Sequence, residues 1–89
     1  MSWVEYSGDL LPGSFAELEA SFSSINTYKD STLMGSLSTI NELDEPLLII
    51  ANVCRPAGHT LGGAVRAVLV LSTRGGLAWV DDSKLQVVT

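Results

Sequence analysis

The chain has 89 residues, of which 46% are hydrophobic and 17% charged, and its formal net charge is −5. This length suits one domain, and the apolar fraction is typical of a globular protein, so the composition excludes global disorder. Only five residues are basic, which disfavours direct binding to a nucleic-acid backbone. We therefore expect a single domain over 1–89, made of an N-terminal arm and helix (1–31) and a β-barrel-like region (32–89).

The first predicted element is an amphipathic helix at about residues 14–25. Ser14 and Glu17 have the spacing of a capping box, in which the hydroxyl and the carboxylate each accept a hydrogen bond from a backbone N–H group. The apolar residues around them recur at helical intervals and would share one face of the helix. These residues are Phe15, Leu18, Phe22 and Ile25.

The next segment, 32–43, is compatible with either a helix or a strand, and we favour a strand. Leu33, Leu37 and Ile40 have helical spacing, whereas Gly35 and the serine and threonine content favour a strand with a kink. Residues 47–53 are rich in branched aliphatic side chains and predict a mostly buried strand.

The segment 65–71 predicts a strand that is apolar on both faces. Leu69 and Leu71 point to one side, and Val68 and Val70 point to the other. Both faces therefore need cover, from the same fold or from another chain. A tight hairpin turn at 74–76, a strand at 77–80, one helical turn at 81–84 and a closing strand at 85–88 are expected to follow.

The run Gly76-Leu77-Ala78-Trp79-Val80-Asp81-Asp82-Ser83-Lys84-Leu85 resembles the end of bacterial Src-homology-three-like domains. In those domains a hairpin leads to a strand, a single tight turn and a short strand that seals a small barrel. The resemblance implies a scaffold in which Trp79 is a packing residue. Ala78 stands where the family commonly has glycine, and the paired tryptophans of its proline-peptide-binding members are absent, so no proline-rich ligand site is implied.

Together these patterns predict an α+β, β-rich fold. It would be a small, partly open Src-homology-three-like barrel of about five strands with one N-terminal amphipathic helix. The expected core residues are Phe15, Leu18, Phe22, Ile25, Leu69, Leu71, Trp79 and Leu85.

The sequence predicts no catalytic residue, no metal site and no cofactor. Cys54 and His59 are the only cysteine and histidine, which is too few for a structural zinc site with four such ligands. A cysteine nucleophile also needs a base and a group that orients it. A thiol-dependent enzyme or regulator that uses Cys54 and His59 is one alternative function.

Charge is distributed unevenly along the chain. Residues 1–45 hold one lysine and eight acidic residues, whereas residues 46–89 carry a net charge of +2. An acidic face attracts basic partners. We therefore expect a non-catalytic protein–protein interaction or assembly module, comparable with phage structural or host-directed accessory proteins, that docks on a basic protein or on copies of itself. The predicted partner-binding residues are Trp3, Tyr6, Glu42, Asp44, Glu45, Val68 and Val70.

The four basic residues after position 45 leave open a second alternative, a nucleic-acid-binding barrel, although direct nucleic-acid binding is not the expected function. They are Arg55, Arg66, Arg74 and Lys84. The single cysteine, the lack of a secretory signal pattern and the lack of an apolar block of about 20 residues predict a cytoplasmic protein that has no contact with a membrane, or one located within a virion if it is phage-encoded.

Overall fold

The structure, a computed structural model, describes residue 6 and residues 8–55 and 65–88. These residues form seven β-strands and two single 3₁₀ turns, with no α-helix among them. The strands are β1 (Phe15–Leu18), β2 (Ser24–Tyr28), β3 (Ser36–Asn41), β4 (Leu47–Arg55), β5 (Val65–Leu71), β6 (Leu77–Asp81) and β7 (Leu85–Val87). The 3₁₀ turns are Glu42–Asp44 and Asp82–Lys84.

The strands make one open antiparallel sheet in the order β3-β2-β6-β5-β4-β1-β7. Strands β4, β5 and β6 form a meander at its centre, and β1 lies between β4 and β7. The predicted fold class is therefore wrong. The described chain is a seven-stranded open sheet without a helix, and not a barrel of about five strands with an N-terminal helix.

The expected helix at 14–25 is replaced by β1, a turn and the start of β2. Ala16 and Leu18 are buried, whereas Phe15 is exposed, which is the alternation of a strand. The carboxylate of Glu17 does not cap a helix; its Oε1 accepts a hydrogen bond of 2.9 Å from Gln86 Nε2 on β7. The helical spacing of the apolar residues gave a wrong prediction because β1 pairs with strands on both sides. Such tertiary pairing outweighs local helix propensity.

Among the described residues, the strands and turns predicted beyond residue 46 are confirmed. Strands β4 to β7 and the second 3₁₀ turn occur where the sequence indicated them, and the favoured strand interpretation of 32–43 agrees with β3. The turn between β5 and β6 has the conformation that its glycines indicate. Gly75 has a φ of +88°, and Ser72 Oγ accepts hydrogen bonds from the backbone N–H groups of Arg74 and Gly76.

The core lies on the inner face of the sheet. Strands near both ends of the sheet contribute to it, including Ile25 on β2 and Leu85 on β7, so the sheet curves around this cluster. The buried cluster consists of Leu10, Ala16, Leu18, Ile25, Leu47, Ile49, Val68, Val70, Val80 and Leu85.

The placement of the expected core residues is mixed. Leu18, Ile25 and Leu85 are buried, and Phe22 packs against the cluster. Phe15 is instead 49% exposed, because it alternates with the buried Ala16 along β1. The remaining three are only half-buried; they are Leu69, Leu71 and Trp79.

Val68 and Val70, expected at a partner surface, are fully buried in the core. This corrects their predicted position. The strand is apolar on both faces, as expected, but the valine face is the inner one, and Leu69 and Leu71 occupy the other.

Candidate protein-binding surface

Five apolar side chains form a line on the outer face of the sheet, four of them on neighbouring strands and the fifth just past the end of β7. Phe15 is opposite Leu48, Leu48 is opposite Leu71, and Leu71 is opposite Leu77. Val88 extends the line past the end of β7, where its N–H donates to the carbonyl of Phe15 at 2.9 Å. Directly opposed residues of antiparallel strands share a face. We call these five residues the apolar row.

Three members of the apolar row are well exposed: Leu77 by 59%, Phe15 by 49% and Val88 by 42%. Leu48 and Leu71 between them are half-buried, so the line is continuous. Scattered apolar side chains are normal on a protein surface, whereas contiguous ones mark a binding surface.

A second line on the same face lies beside the apolar row. Leu69 of β5 is opposite Trp79 of β6, and Trp79 is opposite Tyr28 of β2. On the β4 side, the pairing with β5 skips Ile50, which is 41% exposed. The apolar character of this face therefore extends beyond a single line of residues.

A cluster of three polar side chains, Tyr6, Arg66 and Asp82, lies near the second 3₁₀ turn. Tyr6 Oη donates a hydrogen bond of 3.0 Å to Asp82 Oδ2, and Arg66 Nε is 3.1 Å from the same oxygen. The Arg66 guanidinium carbon is 5.2 Å from the centroid of the Tyr6 ring. Gly8 packs so closely that a Cβ atom there would clash with Tyr6 Oη. The cluster therefore tethers the segment before β1 to the body of the sheet.

A cleft of about 510 Å³ adjoins this cluster. Besides the three cluster residues, its lining includes Asp9 and Glu17. Since Asp82 is paired with Arg66, the two further carboxylates give the cleft an excess of negative charge.

The pKa values of both acidic groups of the cluster are raised. Burial raises the pKa of Tyr6 to about 12, and the hydrogen bond to Asp82 adds to the shift. Burial also raises the pKa of Asp82 above its ordinary value, although Tyr6 and Arg66 partly offset this effect. The arrangement acts as a structural tether, because Tyr6 and Arg66 both contact the Asp82 carboxylate.

The tether predicts a loss of stability at alkaline pH. The pKa of Tyr6 is higher in the folded state than in the unfolded state, so its contribution to the free energy of unfolding is fully present below about pH 10 and is lost as pH rises towards about 12. We expect Tyr6→Phe to lower the free energy of unfolding by about 1–2 kcal/mol at neutral pH and to remove this part of the alkaline loss. Urea unfolding at neutral pH and at about pH 11 measures both effects.

Tyr28→Phe is the matched control, because it removes a phenol from β2, away from the cluster. If the wild type and Tyr6→Phe lose stability in parallel as pH rises, the tether contributes nothing.

The acidic residues that the sequence assigned to partner binding have differing surroundings. The Asp44 carboxylate accepts a hydrogen bond of 2.9 Å from the backbone N–H of Asn41 and lies 3.6 Å from Arg74 Nε. The Glu45 carboxylate accepts from the backbone N–H of Leu18. Glu42 is exposed. Two of the three predicted carboxylates therefore hold the fold together.

The structure describes only some of the residues of the two alternative functions. Cys54 is buried, and His59 and the predicted contact residue Trp3 lie outside the described residues. Among the basic residues, Arg66 and Arg74 are paired with carboxylates, and Lys84 Nζ lies 4.5 Å from the centroid of the Phe22 ring. The side chain of Arg55 is also outside the described part.

Within the described ranges, no three of the histidine, cysteine, aspartate and glutamate side chains are grouped so that they could hold a metal ion. The same ranges contain no helix of sufficient length and apolarity to span a bilayer. Comparisons of the chain with protein-family models, with curated proteins and with solved structures find no match. The resemblance of residues 76–85 to Src-homology-three-like domains therefore stays a prediction.

Proposed function

We propose that this protein is a non-catalytic interaction module and that the apolar row is its contact surface for another protein. The observation that carries the proposal is the register that aligns four apolar residues across neighbouring strands and continues to Val88 past the end of β7. The four residues are Leu77, Leu71, Leu48 and Phe15. Burial of exposed apolar area is the main source of affinity in protein association. Three exposed members on a rigid sheet provide such area with little ordering cost on binding.

The charges around the apolar row indicate what kind of partner it fits. Glu17 lies two residues after Phe15 on β1, and Asp81 lies two residues after Trp79 on β6, so both share the outer face. Protein interfaces combine an apolar centre with a polar rim. The partner would therefore present an apolar patch with basic residues at its border.

The proposal predicts that Phe15→Ser combined with Leu77→Ser abolishes partner binding without unfolding the domain. Each anchor should contribute about 2 kcal/mol, which corresponds to roughly a 30-fold change in Kd per residue. A photo-crosslinking residue at position 50, beside the apolar row, would capture the partner, and the affinity of the purified pair would then be measured.

Leu37→Ser combined with Leu43→Ser is the control, because these leucines are also exposed but lie outside the apolar row. Capture should survive in the control and disappear in the Phe15/Leu77 variant. Equal capture by both variants would contradict the proposal. Crosslinked dimers of the chain itself would identify the partner as a second copy.

The acidic rim predicts that association slows as salt concentration rises, whereas dissociation changes little. If the association rate does not depend on salt concentration, the prediction of basic residues around the partner's apolar patch is wrong. The predicted contact with the apolar row is not affected by that result.

A further inference from the structure

Strand β3 is an unprotected edge of the sheet. It stands at the end of the strand order and pairs only with β2 among the described strands. An edge strand presents a row of unpaired backbone N–H and C=O groups. The opposite edge, β7, has three residues, whereas β3 has six. The β3 edge is therefore the longer template for a further strand.

The composition of β3 lacks the usual protection of an edge. Proteins block edge strands with charged side chains, prolines or bulges that turn the edge away. Its sequence, SLSTIN, contains neither a charge nor a proline, and its first four residues are exposed. The one irregularity in this hairpin lies between Thr27 and Tyr28, on the partner strand β2.

The β2–β3 hairpin packs against the core, so β3 is already ordered before a further strand binds. Ile25 and Thr27 are buried on β2, and Ile40 of β3 packs against the core cluster. The hydroxyls of Thr27 and Ser38 lie 3.1 Å apart. The free-energy cost of ordering β3 when a further strand binds would therefore be small.

The charges at the two ends of β3 differ. At the Asn41 end, Glu42 follows directly and Asp44 is paired with Arg74. Glu19 and Glu45 lie close to the end of β1, where the backbone N–H of Glu19 donates to the carbonyl of Lys84. Hydrogen bonds from Ser21 lower the pKa of Glu19, so it is ionised at neutral pH. At the other end, Lys29 and Asp30 have opposite charges. The edge is thus neutral along its length and negative at one end.

We propose that β3 receives an extended segment of a partner protein as an eighth, antiparallel strand, and that this segment is uncharged in its middle and basic at its N-terminal end. Antiparallel addition places the N-terminus of the incoming strand beside Asn41, where the negative charge lies. A second copy of this chain fits less well, because each copy carries a net charge of −5. This surface is separate from the apolar row and does not depend on it.

The test uses the synthetic peptide Lys-Lys-Ser-Val-Ser-Thr-Val-Ser as the probe. A second peptide has N-methyl groups on alternate backbone amides, which removes the donors that a ladder needs, and a third has glutamates in place of the lysines. Binding to the whole chain is followed by shifts and exchange protection of the backbone amide signals. We expect the signals of residues 36–41 to respond to the first peptide and at least about tenfold weaker binding of the other two.

Two variants of the protein complete the test. Thr39→Lys places a charge on the exposed edge and should weaken binding at least about tenfold. Val88→Lys adds the same charge at an exposed position past β7, the opposite edge of the sheet, and should change binding little. Phe15→Ser with Leu77→Ser should leave peptide binding unchanged, which separates this site from the apolar row.

Several results would overturn the strand-addition site. They are equal binding of the N-methylated peptide, responses outside residues 36–41, no binding of the first peptide, and protection of β3 by dimerisation of the chain without any peptide.

Discussion

Val68→Asp is expected to prevent folding. Val68 is completely buried and lies at the centre of the sheet, opposite Asn52 on β4 and Val80 on β6. A carboxylate buried there without a partner costs several kcal/mol. That cost is comparable with the whole free energy of unfolding of a small domain, about 5–15 kcal/mol. Circular dichroism should show the loss of the sheet, and urea unfolding should show no cooperative transition.

Leu77→Asp is the matched control, because it introduces the same carboxylate on the neighbouring strand at a side chain that is 59% exposed. This variant should keep the spectrum and a cooperative transition close to those of the wild type. A folded Val68→Asp protein would contradict the assignment of Val68 to the inner face. A Leu77→Asp protein as unstable as Val68→Asp would contradict the assignment of Leu77 to the outer face.

Leu47→Ala is expected to lower the free energy of unfolding by about 2–5 kcal/mol, the usual cost of removing a fully buried leucine. Leu47 is one of the largest fully buried side chains and lies opposite Ala16 on β1. The cavity would therefore open where β4 meets β1. Urea unfolding should show a lower midpoint with an unchanged slope, since the surface exposed on unfolding stays nearly the same.

The adjacent Leu48→Ala variant serves for comparison. Leu48 belongs to the apolar row and is only half-buried, so the loss should be roughly half as large. Similar losses at the two positions would contradict the assignment of Leu47 to the core and of Leu48 to the surface.

The order of elements after residue 46 could be predicted from the sequence because each is fixed by nearby residues. The short apolar run of β4 is typical of a buried strand, and Gly75 supplies the positive φ of the hairpin turn. Asp81 caps the second 3₁₀ turn by accepting from the backbone N–H of Ser83. None of these signals depends on distant parts of the chain.

The N-terminal third could not be predicted in the same way. Leu18 and Ile25 are both in the core, and their separation of seven residues also equals two turns of a helix. Nothing local distinguishes that helix from two strands joined by a turn at 19–23. The pairing of Leu18 with Leu85 decides between them. A prediction made from short segments cannot take account of a residue so far along the chain.

The candidate surface was only partly accessible to sequence reasoning, for a related reason. The two apolar faces of β5 are visible in the sequence, but which face is buried depends on where the rest of the sheet curves. The alignment of Phe15 with Leu77 depends on the register of three strand pairs. A one-residue slip in any pair would break this alignment.

The position of β1 between β4 and β7 has a consequence for biosynthesis. Glu17 and Gln86 are neighbours in the sheet although 69 residues separate them along the chain. While the polypeptide is being made, β1 can find its second neighbour only after β7 has left the ribosomal exit tunnel. Until then, the apolar residues of β1 and β4 lack their final cover, and we expect the growing chain to bind chaperones that recognise such segments.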